Sequence, residues 1–286
     1  MSTKAMARPP SLARLYARAA LNASLSRRRG DAHRGEALPD LVYELSEQQI
    51  DSGRLAAYQR VCGFRVTDEL PPTYLHVLAF PLAVAVMVER AFPFPLVGLV
   101  HIANSITVVR PVHAAERVSF IVRAEDLRPH PAGCQVDLVA QARVDDEIVW
   151  SGRSTYLHRG EPAEQHTEKA ELAEPAGAVA FVRVPENMGR KYGAVSGDRN
   201  PIHLHAWSAK PFGFPKAIAH GMWLKARTLA ALEGRLPAAY TVDVAFKTPV
   251  LLPSALAIAT EPTTAGWTLD VRAARSGRPH LAGSVQ

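Results

Sequence analysis

Cysteine is nearly missing from this 286-residue chain: Cys62 and Cys134 are its only two, far apart in sequence. Such a pair matches no metal or redox spacing and builds no disulfide framework, so packed thiols in a reducing compartment, the cytoplasm, are expected. An apolar run of membrane length is missing too. The longest, Val77 to Val88 between His76 and Glu89, falls short of the roughly 20 residues that a span needs, and Pro81 interrupts it. It is predicted as a buried core helix, with no membrane span. The N-terminus also lacks the apolar h-region of a secretory signal. Acidic side chains are scarce in one place: residues 1–35 hold Lys4, Arg8, Arg14, Arg18, Arg27, Arg28, Arg29 and Arg34 against Asp31 alone. The formal net charge of +6 therefore belongs to a basic leader, residues 1–38, and the remaining body is near neutral. Aromatics beyond Tyr16 are absent from this leader and no recognition motif follows it, so no nucleic-acid role is expected.

Within the leader, Arg14 and Arg18 interleave with Leu12, Leu15, Tyr16 and Leu21, the pattern of a short basic amphipathic helix. Its poverty in acids also fits an organellar transit peptide, which would place the protein in mitochondria, or a plain solvated arm. Hydrophobic residues make up 48% of the chain, enough for a large core in one big domain or two ordinary ones. A polar, proline- and glutamate-containing stretch from 160 to 177 reads as a linker between halves at 39–159 and 178–286.

The halves repeat one order of elements. In the first, a helix over 73–91 ends in Glu89-Arg90-Ala91-Phe92-Pro93; in the second, a helix over 221–233 ends in Glu233-Gly234-Arg235-Leu236-Pro237. Strands are predicted after each, at 102–111, 116–125, 135–144 and 147–156, and then at 242–249, 255–261, 267–274 and 280–285. Internal duplication follows, with an α+β layer arrangement in which a mostly antiparallel sheet wraps an apolar helix. Aligned on the helix ends, Gly221 of the second half corresponds to Val77 of the first.

The chemistry concentrates in Tyr192-Gly193-Ala194-Val195-Ser196-Gly197-Asp198-Arg199-Asn200-Pro201-Ile202-His203. Gly197 and Pro201 make a continuous helix there unfavourable, and Asn200, preceding a proline, is biased to extended geometry. Asp198 and His203 can therefore converge as an acid/base pair. His203 and His205 could instead be a metal-binding His-x-His, but no third ligand lies at a convincing spacing, and no metal is expected. His220 reads as a buried, hydrogen-bonded histidine before the helix.

Together with Phe212-Gly213-Phe214 and Ile218-Ala219-His220-Gly221-Met222, this segment resembles the signature of MaoC-like dehydratases and (R)-specific enoyl-CoA hydratases, over about residues 180–255. The resemblance implies a double hot-dog fold with a degenerate N-terminal and a catalytic C-terminal repeat, since the first half has no Asp-x-Asn-Pro-x-His. It implies Asp198 and His203 as the catalytic pair and the Gly221 N–H as oxyanion donor, with Asn200, Pro201, His220, Met222, Phe212 and Phe214 as substrate-binding residues. The activity implied is reversible, syn hydration of trans-2-enoyl-CoA to (R)-3-hydroxyacyl-CoA, with no cofactor beyond coenzyme A or acyl carrier protein as part of the substrate. Dehydration on acyl carrier protein, non-catalytic acyl-thioester binding and thioester hydrolysis are the alternatives. The chain would act as a monomeric double hot dog or a homodimer.

Physical reasoning supports these roles. The reaction needs a base for water, a proton for the α-carbon and stabilisation of charge on the thioester oxygen. Free amides at a helix N-terminus, opened by a glycine, suit the last of these. An acyl channel is expected along Phe80, Val84, Met87, Val88, Phe92 and Phe94, and phosphates near Arg190, Lys191, Lys210 or Lys216. The chain departs from the family at His205, where an aspartate or asparagine is common, and near Thr228 and Leu229, where some relatives carry a serine.

Overall fold

The computed structural model describes residues 2–29, 37–160 and 178–286; most of the predicted linker and part of the leader lie outside them. The elements are β1 (Ser2–Met6), α1 (Leu12–Arg29), β2 (Leu41–Gln48), α2 (Ser52–Cys62), α3 (Pro72–Met87), β3 (Leu99–Val108), β4 (Val118–His130), β5 (Gly133–Val144), β6 (Glu147–Arg159), β7 (Ala178–Val184), α4 (Met188–Ser196), α5 (Ala206–Ala209), α6 (Gly221–Ala230), β8 (Tyr240–Phe246), β9 (Ser254–Thr263), β10 (Gly266–Ala273) and β11 (Pro279–Val285).

Helix α3 is apolar on every side, which is the signature of a helix enclosed by other elements rather than lying on a surface. It packs against β2 to β6, and nearly all of its side chains are buried. Pro72 begins it, where a missing N–H costs nothing, while Pro81 lies inside and removes the donor that would reach the Val77 carbonyl. Opposite α3, the sheet supplies side chains at period two: Val118, Phe120 and Val122 of β4 point inward and are fully buried. Helix α2 carries conventional caps, with the Asp51 carboxylate accepting from Arg54 N–H at 3.0 Å and left-handed Gly63 closing its end.

All eleven strands form one sheet. Read towards its middle, the first half runs β2-β4-β5-β6-β3 and the second β7-β9-β10-β11-β8, so both halves have the same strand order. Their inner strands, β3 and β8, pair antiparallel from Ala103↔Ala245 to Val108↔Tyr240 and make the sheet continuous. This is the duplicated α+β architecture anticipated from sequence. Each half has one strand more than predicted, β2 and β7, each preceding the helices of its half.

Lys225 pins the seam from the α6 side. Its Nζ donates to Asn104 O (3.1 Å) and Asn104 Oδ1 (2.7 Å) on β3 and to Val242 O (3.0 Å) on β8. Complete burial drives its pKa well below the usual lysine value. Three carbonyl acceptors nevertheless match the three donors of an ammonium group.

Two expectations need correction. The alignment of Gly221 with Val77 fails at the helix starts: α3 opens at Pro72, so Val77 lies in its second turn and its amide is not at a free helix end. The longer first helix extends N-terminally, while the two helix ends keep the alignment. The basic leader is also not a detached arm. Strand β1 pairs parallel to β2, Lys4 and Arg18 both reach Glu89 at 3.4 Å, and Leu15 and Ala19 of α1 are buried in the core.

Candidate active site

Helix α4 ends on Gly197, whose φ of 80° turns the chain sharply and delivers Asp198. The next residues fold back along the helix. A Cβ on Gly189 would lie 1.9 Å from the His203 carbonyl oxygen and one on Gly193 2.8 Å from that of Asp198, so two glycines one turn apart seat both ends of the loop. Asn200 takes the extended conformation expected before a proline, and its side chain accepts from Ile202 N–H to start a 3₁₀ turn, Pro201–His203. The loop thus brings the Asp198 carboxylate and the His203 imidazole together. With His220 they form a cluster in which one nitrogen or carboxylate oxygen from each residue lies within 4.8 Å of the others.

Each group has a defined hydrogen-bonding state. Asp198 Oδ1 accepts from Asn200 N–H (3.1 Å) and from the Tyr16 hydroxyl (3.0 Å), leaving Oδ2 3.7 Å from His220 Nε2. His203 Nδ1 lies 2.8 Å from Ile218 O; a carbonyl only accepts, so the proton is on Nδ1 and Nε2 keeps its lone pair. By the same logic, His220 Nε2 donates to Asp198 O at 3.1 Å. The His203 and His220 rings stack, with centroids 3.6 Å apart.

Burial lowers the His203 pKa, only partly countered by Asp198 and the Ile218 carbonyl, and it pushes His220 down to about 3. Both rings are neutral near pH 7. Burial would raise the Asp198 carboxyl, but the two imidazoles when protonated, the Asn200 N–H and the Tyr16 hydroxyl outweigh it and hold the group below the usual aspartate value. A carboxylate and a neutral imidazole with a free lone pair are thus paired side by side. The three residues are close enough to suggest a metal, yet the stacked rings direct their lone pairs along nearly parallel planes. That geometry is poorly suited to a shared ion at the ~2 Å distance of a metal–imidazole bond.

A cavity of about 310 Å³ opens onto this pair, within the range of small-molecule sites. Gly221, the first residue of α6, lies on its wall, at the helix end where amides have no intrahelical partner. Asp198, His203, Asn200, His220, Met222 and Phe214 line the same cavity. Pro201 and Phe212 do not; the first shapes the 3₁₀ turn and the second lies on the surface, 37% exposed. Of the predicted acyl channel, Phe80 and Met87 reach the cavity, Val84, Val88 and Phe92 are core, and Phe94 stacks on His158.

None of the four cations proposed for phosphates lines the cavity; Arg159 and Lys247 do. Arg190 is instead bonded to Leu204 O and His205 Nδ1, and His205, where the chain departs from the family, does not line the cavity. Sequence reasoning gave no sign of His76, His101 and Tyr156, three polar aromatics that the first half places on the cavity wall, or of Tyr16. None of them belongs to a motif, and each reaches the site only through long-range packing.

Comparison with known proteins bears on the family and the fold. The family model described as "MaoC like domain" matches residues 165–271. The chain is 38% identical over 259 residues to 3-hydroxyacyl-thioester dehydratase X of Mycobacterium tuberculosis, covering 88% of this chain and 91% of that protein. The crystal structure of the M. tuberculosis protein HtdX, 38% identical, superposes with a TM-score of 0.77 over 85% of this chain and 98% of its own. A MaoC-like dehydratase from Phytophthora capsici, 16% identical, shares the fold with a TM-score of 0.70, covering 88% of this chain and 96% of its own.

Proposed function

The chain belongs to the MaoC-like dehydratase family, and from that premise we propose that it reversibly dehydrates (R)-3-hydroxyacyl thioesters to trans-2-enoyl thioesters, with Asp198 and His203 as the reacting pair. One observation carries the reading: a carboxylate and an imidazole whose Nε2 lone pair is free share a cavity with the N-terminus of α6.

In the hydration direction, a water between Asp198 Oδ2 and His203 Nε2 gives a proton to Nε2 while its oxygen bonds to C3. The carbon–carbon π pair moves toward the thioester, and the Gly221 N–H stabilises the charge that develops on the carbonyl oxygen. His203 then returns its proton to C2 from the same face, giving syn addition. His203, with its Nε2 lone pair free, takes the proton, and Asp198 orients the water and stabilises the imidazolium that forms. Protein side chains and one amide suffice, so neither metal nor redox cofactor enters the scheme.

Coenzyme A is the carrier we favour, with Arg159 and Lys247 the cations that line the cavity. An acyl carrier protein would use the same reacting groups and differ in what docks outside. The first half carries no copy of the pair, so each chain would hold one catalytic and one degenerate repeat, and a single chain is complete as a double hot dog. Cytoplasmic residence fits two free cysteines and a leader that is docked on the body.

Crotonyl-CoA tests the proposal. Loss of the ultraviolet absorbance of its conjugated thioester without release of free thiol is the expected result. Thiol release would instead identify a thioesterase, and binding without either change an acyl-thioester-binding protein. Parallel turnover on crotonyl-acyl-carrier-protein ranks the two carriers.

A further inference from the structure

We propose that Tyr16, carried into the cavity by the N-terminal helix α1, is a positioning residue for the Asp198 carboxylate, so that the basic N-terminal segment is a working wall of the active site. The inference rests on Asp198 and His203 being the reacting pair.

A carboxylate rotates about its terminal bond over a broad, two-fold profile, so its oxygens are distinguished only by what holds them. Here both strong donors fall on Oδ1: the Asn200 N–H from within the loop and the Tyr16 hydroxyl from 182 residues away in the chain. The Asn200 bond moves with the loop and cannot fix it relative to the rest of the protein. Tyr16 can, because α1 is anchored independently. With Oδ1 occupied, Oδ2 is the oxygen left for water.

The anchoring is specific. Leu12, Leu15, Tyr16 and Ala19 follow the i, i+3, i+4, i+7 spacing of one helix face. Leu15 and Ala19 on this face are buried. Leu12 lies against Gly197: a Cβ there would be 2.5 Å from Leu12 Cδ1, so the first turn of α1 rests on the residue that delivers Asp198. At the outer end, Lys4 and Arg18 meet Glu89, to which Tyr43 also donates. Burial, followed by the adjacent Asp198 charge, raises the Tyr16 pKa far above the phenol range, so the hydroxyl remains a donor at any working pH. The basic leader would thus fix the carboxylate through Oδ1 and leave Oδ2 facing the water.

The experiment uses the full chain and crotonyl-CoA, comparing Tyr16→Phe, Asp198→Asn and the double variant. A hydrogen bond to a charged group supports an expected fall in kcat of roughly 10- to 100-fold for Tyr16→Phe, with KM and melting temperature little changed. In the Asp198→Asn background the same substitution should change the residual rate by less than about 2-fold, because the charge it serves is gone. Wild-type kcat in Tyr16→Phe, or an equal loss in both backgrounds, would overturn the proposal while leaving the reacting pair intact. Full turnover in Asp198→Asn would overturn the pair itself and the role of Tyr16 with it. If Tyr16→Phe does not fold, Leu12→Asp displaces α1 with the hydroxyl still present; a lowered kcat at unchanged KM is expected, and an unchanged kcat refutes the positioning role.

Discussion

Asp198→Asn separates the charge of the reacting pair from its shape. The asparagine is nearly isosteric, and its orientation is dictated: Oδ1 accepts from Asn200 N–H and from Tyr16, so the amide oxygen must occupy that side. The NH₂ group then stands where Oδ2 was, and a donor replaces the acceptor that would hold water. The loop keeps both hydrogen bonds, and its fold should survive. What is lost is attraction to the imidazolium. At a separation of at most 4.8 Å and an effective dielectric constant of about 20, that attraction is about 3.5 kcal/mol, or roughly 300-fold in rate. Loss of water orientation adds to this, so kcat should fall by about 10²- to 10⁴-fold, the range for a positioned acid or base. Initial rates of crotonyl-CoA hydration, with a melting curve on the same sample, decide the matter. A fall of less than about 10-fold in a folded variant would refute a mechanism that depends on the Asp198 charge.

Acid should destabilise the protein through three histidines that the fold holds neutral, buried His220 and the half-buried cavity-wall residues His76 and His101. Folding lowers His76 to about 4 and His101 and His220 to about 3, so the unfolded chain binds more protons between those values and about 6.5; stability is full above 6.5 and declines below it. At pH 5 each contributes a loss of about 2 kcal/mol, large against a total stability of about 5–15 kcal/mol, and the urea midpoint should fall steeply between pH 6.5 and 5. A flat midpoint across that window would show that these rings are not held as neutral groups. Gly221→Ala should cut kcat/KM by about 10-fold or more, because its Cβ would come within 3.0 Å of the Phe246 ring, which must move at the mouth of α6; wild-type kinetics would exclude the Gly221 amide from a tightly positioned role. Lys225→Met leaves Asn104 Oδ1 without its donor and should cost about 1–3 kcal/mol in denaturant unfolding. A more stable variant would show that burying the ammonium costs more than its three bonds return.

The parts legible in sequence are those whose physics is local. Helix α6 and strands such as Gly133–Val144 follow from period and turn residues within their own segments, and the convergence of Asp198 with His203 follows from Gly197 just before the pair and Pro201 inside it. The edge strand Ala178–Val184 was missed because it adjoins a polar stretch and pairs only on one side. The cations nearest the motif in sequence are not those that line the cavity: Arg159 and Lys247 come from the end of β6 and the residue after β8. Tyr16 shows the limit most clearly. The amphipathic spacing of its helix was readable, but nothing in that spacing says which of many apolar surfaces the helix will cover.

The shared β3–β8 ladder has a consequence for how the protein can change. Two identical subunits pairing across such a ladder would have to accept every substitution twice, once on each side of the symmetry axis. Covalent tandem copies are free of that constraint. One half holds the loop that places Asp198 and His203, while the other supplies a wall bearing His76, His101 and Tyr156. Because Lys225 ties the two across their common edge, drift on either side is tolerated while Asn104 and Val242 still meet its ammonium group.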